Sequence, residues 1–333
     1  MNLGKLGQAL TAREIFDLIQ NELVEVEKHI AAESVASVDA VTAIGQYLQS
    51  SGGKRLRPAL LLISAKLAGG AGPGAIHLGA VVEMIHAATL VHDDVIDAAE
   101  TRRGRPSTNV KWGNHVCVLA GDWLYMQAFQ IALRERNFQI LDLLISLTHM
   151  MVEGELLQLE RIGKIQITEA DCMELVDRKT ACLFSVCARL GGICGTSDPQ
   201  VQEKLGEYAW NLGMAFQLVD DILDFTAREQ TLGKPVGGDL REGKVTLPLV
   251  YALECATPAE RRLVETILEQ RSYQQVPFSR ILGLLEKYRG IERVKDRAQA
   301  FTEKARAIIS EFPESRYQRA LMSVTELVTE RDH

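Results

Sequence analysis

Alternating strand patterns, a basic stripe and paired cysteines are all missing from this chain of 333 residues, and each absence removes a class of answer. With almost no apolar–polar alternation there is little material for a sheet or a barrel. The basic residues come in short groups and the net charge is −7, which argues against nucleic acid as a partner. The six cysteines, Cys117, Cys172, Cys182, Cys187, Cys194 and Cys255, include no CxxC pair and no zinc spacing, so they read as small buried hydrophobes in a reducing compartment. Met1 to Glu14 lacks the apolar core of a secretion signal, and no uninterrupted apolar run reaches membrane-spanning length. The expectation is a cytoplasmic protein with at most peripheral membrane contact, brought there by a greasy ligand. No Pro/Gly/Ser-rich linker breaks the chain, so one domain is expected over 1–333.

What is present is helical periodicity with clear start signals. Thr11 with Glu14, Thr168 with Asp171, and Thr257 with Glu260 each place an acidic residue three positions after a capping Thr, and Pro258 adds a rigid first helical position. Asp198-Pro199 starts another helix in the same way. The pattern predicts helices over about 12–32, 38–50, 56–69, 74–99, 112–135, 137–160, 169–195, 199–227, 245–256, 259–270, 278–289, 291–310 and 314–331. The fold class is therefore all-α, a single large helical bundle.

Within two of these helices an acidic pattern recurs. Asp93, Asp94 and Asp97 stand at i, i+1 and i+4 among Leu90, Val91, Val95 and Ile96; Asp220, Asp221 and Asp224 repeat the spacing among Leu218, Val219, Ile222 and Phe225. On a helix the first and last carboxylates stack one turn apart and the middle one is turned about 100° away. Carboxylates in an apolar setting are costly unless paired. One such triplet alone would suit a solvated face; two of them call for a cation. Hard oxygen ligands without Cys or His clusters favour Mg²⁺, which shares its shell with water and substrate phosphates.

Basic groups lie just outside those helices. Gly52-Gly53-Lys54-Arg55-Leu56-Arg57-Pro58 lets backbone approach a ligand and puts Lys54 and Arg57 on one helical face; Arg102, Arg103 and Arg105 follow the first acidic motif. Cations beside metal-binding carboxylates make sense with a multiply charged anion between them. Lys179-Thr180 sits in a long helix, Gln217 falls one turn before Asp221, and Lys234 and Lys244 flank a glycine-rich loop. Gly238 to Lys244 fits the start of a phosphate-binding P-loop, but Val245 stands where Ser or Thr is required and no strand precedes it. His92-Asp93 fits the HD pair of helical metal phosphohydrolases, with His86 a conceivable further ligand, yet that reading leaves the second acidic motif unexplained.

With these residues together, the chain resembles the trans-prenyl diphosphate synthases of the polyprenyl synthetase family from about Gly52 to Lys244, in the Gly52–Pro58 run, both acidic motifs, Arg102-Arg103-Gly104, Lys179-Thr180 and Gln217. The resemblance implies a helical bundle around a deep central cavity, usually a homodimer, that condenses isopentenyl diphosphate with an allylic prenyl diphosphate. It implies that Asp93, Asp97 and Asp220 coordinate Mg²⁺, with Asp94, Asp221 and Asp224 in support. Arg102, Lys179, Thr180, Gln217, Lys234 and Lys244 would meet the allylic substrate, and Lys54, Arg57, His86 and Arg103 the isopentenyl diphosphate. Two other classes fit part of the pattern: a helical phosphohydrolase, and a non-catalytic prenyl-binding subunit that would not need both acidic motifs.

Short-chain members of that family resemble one another in a bulky aromatic four or five residues before the first motif. Here Thr89 and Ala88 stand there. A growing tail would pass them, with Val82 and Ile85 lining its way and Met126, Phe129 or Met151 as a floor. From Asp93 back to Gly74 the helix offers roughly 30 Å, room for about five or six isoprene units at roughly one per turn. The expected product is long, octaprenyl diphosphate, with a quinone side chain as its destination.

Overall fold

The structure is a computed structural model that describes residues 9–226 and 236–329. Helices dominate: α1 (Ala12–Asp17), α2 (Gln20–Glu33), α3 (Asp39–Ser50), α4 (Leu56–Ala68), α5 (Pro73–Ile96), α6 (Thr108–Trp112), α7 (Asn114–Arg134), α8 (Phe138–Arg161), α9 (Glu169–Val176), α10 (Cys182–Gly195) and α11 (Pro199–Thr226). After these come α12 (Gly238–Arg241), α13 (Leu247–Cys255), α14 (Pro258–Gln270), α15 (Phe278–Lys287), α16 (Gly290–Ser310) and α17 (Arg316–Thr329). The all-α expectation holds. All three predicted capping boxes form, at Thr11, Thr168 and Thr257, each with its side chain accepting from the N3 amide and the N3 carboxylate accepting in return. Asp198 accepts from the Gln200 amide at 2.9 Å at the head of α11.

The differences from the predicted helix map are local. The first helix breaks before α2 at Ile19, whose φ of −131° lies outside the helical range while its side chain is fully buried. Gly113, at φ 78°, separates α6 from α7. Between α9 and α10 the residues Asp177–Ala181 form a wider π turn. A two-stranded hairpin, β1 (Thr101–Arg102) against β2 (Arg105–Pro106), follows α5. Its two-residue loop, Arg103 and Gly104, has positive φ at both positions, 53° and 72°, which matches the right-handed twist of a tight hairpin.

By packing, the chain groups into two compact units, each assembled from discontinuous stretches. The first takes the chain through Leu147 with Leu183–Ala209 and Arg306–Glu326; the second takes Thr148–Cys182, Trp210–Ala305 and the chain from Leu327. Because the divisions fall inside helices, no linker marks them in the sequence. The first unit buries Ile44, Leu61, Leu62, Leu78 and Ile85 completely, and inside it the Tyr208 hydroxyl donates to the Leu321 carbonyl at 2.7 Å. The second centres on Leu249, Val264, Ile267, Ile281, Leu285 and Val294.

By length and composition α5 and α7 are apolar enough to cross a membrane, a test that a buried core helix also passes. Small residues suit close packing of these two helices: Ala80, Ala88, Ala120, Ala128 and Ala132 are all fully buried, and α5 and α7 pack extensively on each other.

Candidate active site

In the first unit the C-terminal turn of α5 carries the first acidic motif, and its three carboxylates have different surroundings. Asp93 is half-buried and Asp97 is exposed at the helix end, where its amide donates to the Asp93 carbonyl at 2.8 Å. Asp94 is fully buried. One of its oxygens accepts from Arg102 Nε at 2.6 Å, and the other accepts from the Thr108 amide and hydroxyl at 3.0 and 2.9 Å. Direct metal ligation by Asp94 would sacrifice these bonds. Its work is to tie the hairpin and the head of α6 to α5, a positioning job distinct from that of Asp93 and Asp97.

That tie brings the hairpin over a pocket lined by Tyr47, Arg55, Glu83, His86, Arg102 and Arg103. Arg103 donates to the Gly52 carbonyl, joining the hairpin to the glycine-rich loop. Arg55 and Arg103 both hold left-handed backbones, φ 47° and 53°, a conformation that costs an L-residue about 1–2 kcal/mol and that collects at functional sites. Arg55, which sequence reasoning assigned no role, is clamped by Glu27 and by Glu83, the latter at 2.8 Å. Arg57 lies over the Phe184 ring at 5.7 Å, and Lys54 is exposed. Burial, then the neighbouring Arg57, Arg103, Arg102 and Arg55, hold the His86 imidazole well below its usual pKa. It is therefore a neutral hydrogen-bonding group in a basic pocket. Glu83 was missed, although it stands three residues before His86 and so shares its helical face.

His92 directs Nε2 to the Val118 carbonyl at 3.0 Å and to Asp122 at 3.4 Å on α7. The HD-type alternative would need that nitrogen for a metal. Ile85 and Ala88 are fully buried, Thr89 bonds back to the His86 carbonyl at 2.8 Å, and Phe129 is half-buried on α7. Met126 is 64% exposed, so within its own unit it faces outward and is no floor for a passage.

In the second unit the π turn places Lys179 and Thr180. Gly154 on α8 makes room for it, since a Cβ there would come within 2.8 Å of Arg178 Cβ. Lys179 Nζ donates to Gln158 at 2.9 Å and pairs with Glu155 at 2.5 Å; both partners escaped sequence reasoning, although polar residues at i and i+3 on one helix were their signal. Thr180 donates to Gln217 Oε1 at 2.9 Å, and Gln217 Nε2 donates to Asp221 at 2.9 Å. The second acidic motif is thus wired to the π turn. Asp221 is buried, and its pKa is pushed well up by burial, against the Gln217 bond, with Asp239, Asp220 and Asp224 adding like charge. Asp220 is half-buried and Asp224 fully buried, its carboxylate accepting from the Asp239 amide at 3.2 Å. Lys244 pairs with Glu242 at 2.8 Å. Lys234 lies outside the described residues.

Among the described residues no three His, Cys, Asp or Glu side chains form a ready-made metal cage. The donors nonetheless fit a hard divalent ion. All are carboxylate oxygens, the cluster of like charge at Asp220, Asp221 and Asp224 is relieved by a cation, and water and phosphate oxygens would complete the shell.

The polyprenyl synthetase family model matches residues 38–284. The chain is 33% identical over 323 residues to the octaprenyl diphosphate synthase of Escherichia coli K12, covering 97% of this chain and all of that one. It is 37% identical over 282 residues to the geranylgeranyl diphosphate synthase of Sulfolobus acidocaldarius, covering 82% and 85%. The crystal structure of a polyprenyl synthase from Caulobacter crescentus CB15, complexed with calcium and isoprenyl diphosphate, superposes with a TM-score of 0.92 at 33% identity, covering 98% and 99%.

The His86 environment has a pH signature. Below the usual histidine pKa, near 6.5, the unfolded chain takes up a proton that folded His86 refuses, so stability falls as pH falls. Urea denaturation of His86→Gln is expected to show a smaller loss between pH 7.5 and 5.5 than the parent, by on the order of 1 kcal/mol. Equal losses in the two proteins would refute the neutral assignment.

Proposed function

This chain belongs to the polyprenyl synthetase family and is a prenyltransferase, a trans-prenyl diphosphate synthase, and from that premise we propose that it is a Mg²⁺-dependent long-chain enzyme making octaprenyl diphosphate for a quinone side chain. The observation that carries the reading is the conjunction of two acidic motifs of equal spacing with the cationic pocket around His86. Arg57, His86 and Arg103, with Lys54 from the loop, would hold isopentenyl diphosphate. Neutral His86 supplies a hydrogen bond there without adding a charge that titrates near neutrality.

Asp93, Asp97 and Asp220 would hold Mg²⁺, which when bound neutralises charge on the allylic diphosphate as it departs. Arg102 meets Asp94 through Nε, so its terminal nitrogens are the donors left for phosphate. Lys179 would exchange Glu155 for phosphate oxygens as substrate enters. Once the allylic C–O bond ionises, the isopentenyl double bond attacks the cation and a proton is lost. The oxygens of Thr180 and Gln217 offer electron density to the cation, and the departing diphosphate is the base. Asp94 and Asp221 serve by holding the hairpin and Gln217, and Asp224, one turn after Asp220 on α11, would support the metal directly or through water.

Named relatives make products as different as octaprenyl and geranylgeranyl diphosphate, so the length assignment rests on the small residues of α5. Ala88 and Thr89 leave the passage unblocked, Ile85 and Phe129 border it, and the helix length suits about C35 to C50. A homodimer in the cytoplasm is the proposed assembly. It is supported by exposed apolar side chains at seven-residue spacing, Leu119, Met126 and Leu133 on α7 and Phe138, Ile145, Val152 and Leu159 on α8, the repeat of a helix–helix seam. Membrane contact is limited to delivery of the greasy product.

Mass spectrometry of products from purified protein, Mg²⁺, isopentenyl diphosphate and farnesyl diphosphate should give a ladder ending at one long prenyl diphosphate. Asp93→Ala and Asp220→Ala should each slow it by roughly 100-fold or more; near-parental rates would sink the metal assignment. Ala88→Phe should cut the ladder short, and an unchanged end point would refute the path along α5. Leu119→Glu combined with Met126→Glu should shift the sedimentation mass from dimer to monomer. A parental dimer in that variant would exclude α7 from the interface.

A further inference from the structure

The stretch between α14 and α15 has no part in the chemistry above, yet it grips the loop that follows the second acidic motif. Tyr273 donates its hydroxyl to the Gly237 carbonyl at 2.7 Å. The Gly237 amide donates in turn to the Asp224 carbonyl at 2.7 Å, and the Asp239 amide donates to the Asp224 carboxylate at 3.2 Å. The Phe278 ring stacks parallel on Phe225, centroids 6.3 Å apart, and meets Tyr273 edge-on at 5.2 Å. Gly237 holds φ 70°, and a Cβ on it would lie 2.4 Å from the Phe278 ring and 2.6 Å from the Tyr273 hydroxyl. Backbone and aromatic groups therefore close on each other without slack. Asp224 is fully buried, so the direction of its carboxylate is set by protein groups, the Asp239 amide among them, rather than by solvent.

We propose that Tyr273 is a positioning residue for the diphosphate–metal end of the reaction: through Gly237 it fixes the loop amides that orient Asp224, and with Phe278 it holds the C-terminal turn of α11 in register. The proposal deepens the synthase reading and rests on it. Tyr273 touches no substrate; it acts through two hydrogen bonds and one ring stack. Because the hydroxyl bonds to backbone, Phe would keep the ring packing and remove only the tie.

The test uses the full chain, with binding of the unreactive analogue farnesyl thiolodiphosphate followed by calorimetry across a Mg²⁺ titration. Tyr273→Phe should raise the Mg²⁺ concentration for half-maximal analogue binding about fivefold, the weight of one hydrogen bond, with Tm lowered by only a few degrees and isopentenyl diphosphate binding at its parental value. Gly237→Ala should move the Mg²⁺ requirement in the same direction and further. Tyr288→Phe, which removes a hydroxyl bonded to Glu260 at 2.9 Å in the same unit, should leave it unchanged. A parental Mg²⁺ titration for Tyr273→Phe overturns the positioning role. So does a lowered Tm without a shifted titration, or an equal loss of isopentenyl diphosphate binding. Parental protein that binds the analogue with no dependence on Mg²⁺ overturns the synthase reading and this proposal with it.

Discussion

A carboxylate buried in an apolar helix must be charged and partnered or neutral and hidden, and the local structure at both acidic motifs follows from how that choice is met. Asp94 takes the first route. Its charge is met by the Arg102 guanidinium and by two donors from Thr108, and meeting it requires the chain to leave α5, turn back through a hairpin and start α6 at a fixed place. Removing Arg102 would leave the buried Asp94 carboxylate with the Thr108 donors alone. The hairpin is therefore held where Arg102 and Arg103 border the pocket. The acidic motif in this sense builds the basic one.

Asp221 meets the same constraint differently. Its hydrogen-bond partner is the Gln217 amide, and its neighbours Asp220, Asp224 and Asp239 are of like charge. Burial and those like charges push its pKa well up, against the Gln217 bond that favours the charged form. The two motifs share a spacing but have different electrostatic surroundings: the buried Asp of the first meets an arginine, and the buried Asp of the second meets a neutral amide among neighbouring carboxylates.

Helix type and most helix starts could be read from the chain, because capping boxes and the 3.6 period are local. The aspartates could be found because their spacing repeats. What escaped was the geometry set by pairings distant in sequence. The hairpin hides in Arg103-Gly104, where an arginine occupies a left-handed position that asparagine or glycine would have advertised. The π turn at 177–181 depends on Gly154 lying opposite it, far back in the chain. Glu27 and Glu83 look like ordinary helix charges until Arg55 is seen between them. Lys54 and Lys179 were legible as cations, but only the fold shows that Lys179 already has an anion at hand in Glu155 and that Lys54 reaches solvent.

The apolar length of α7 admits two covers, lipid or protein, and the pattern of its exposure discriminates between them. A lipid-facing helix is apolar all round at membrane depth and excludes unpaired charge. On α7 the exposed apolar residues Leu119, Met126 and Leu133 stand at a seven-residue repeat with Val118 beside the first of them, and Asp122 sits on the same face between Leu119 and Met126. Asp122 lies 3.4 Å from His92 on α5, the residue beside the first acidic motif. In hydrocarbon an acid at that depth would be a penalty. In a seam between helices a single polar group fixes register at a tolerable loss of stability. By its periodicity and by Asp122, the α7 face that looks like a membrane span by composition suits a helix–helix seam better than lipid.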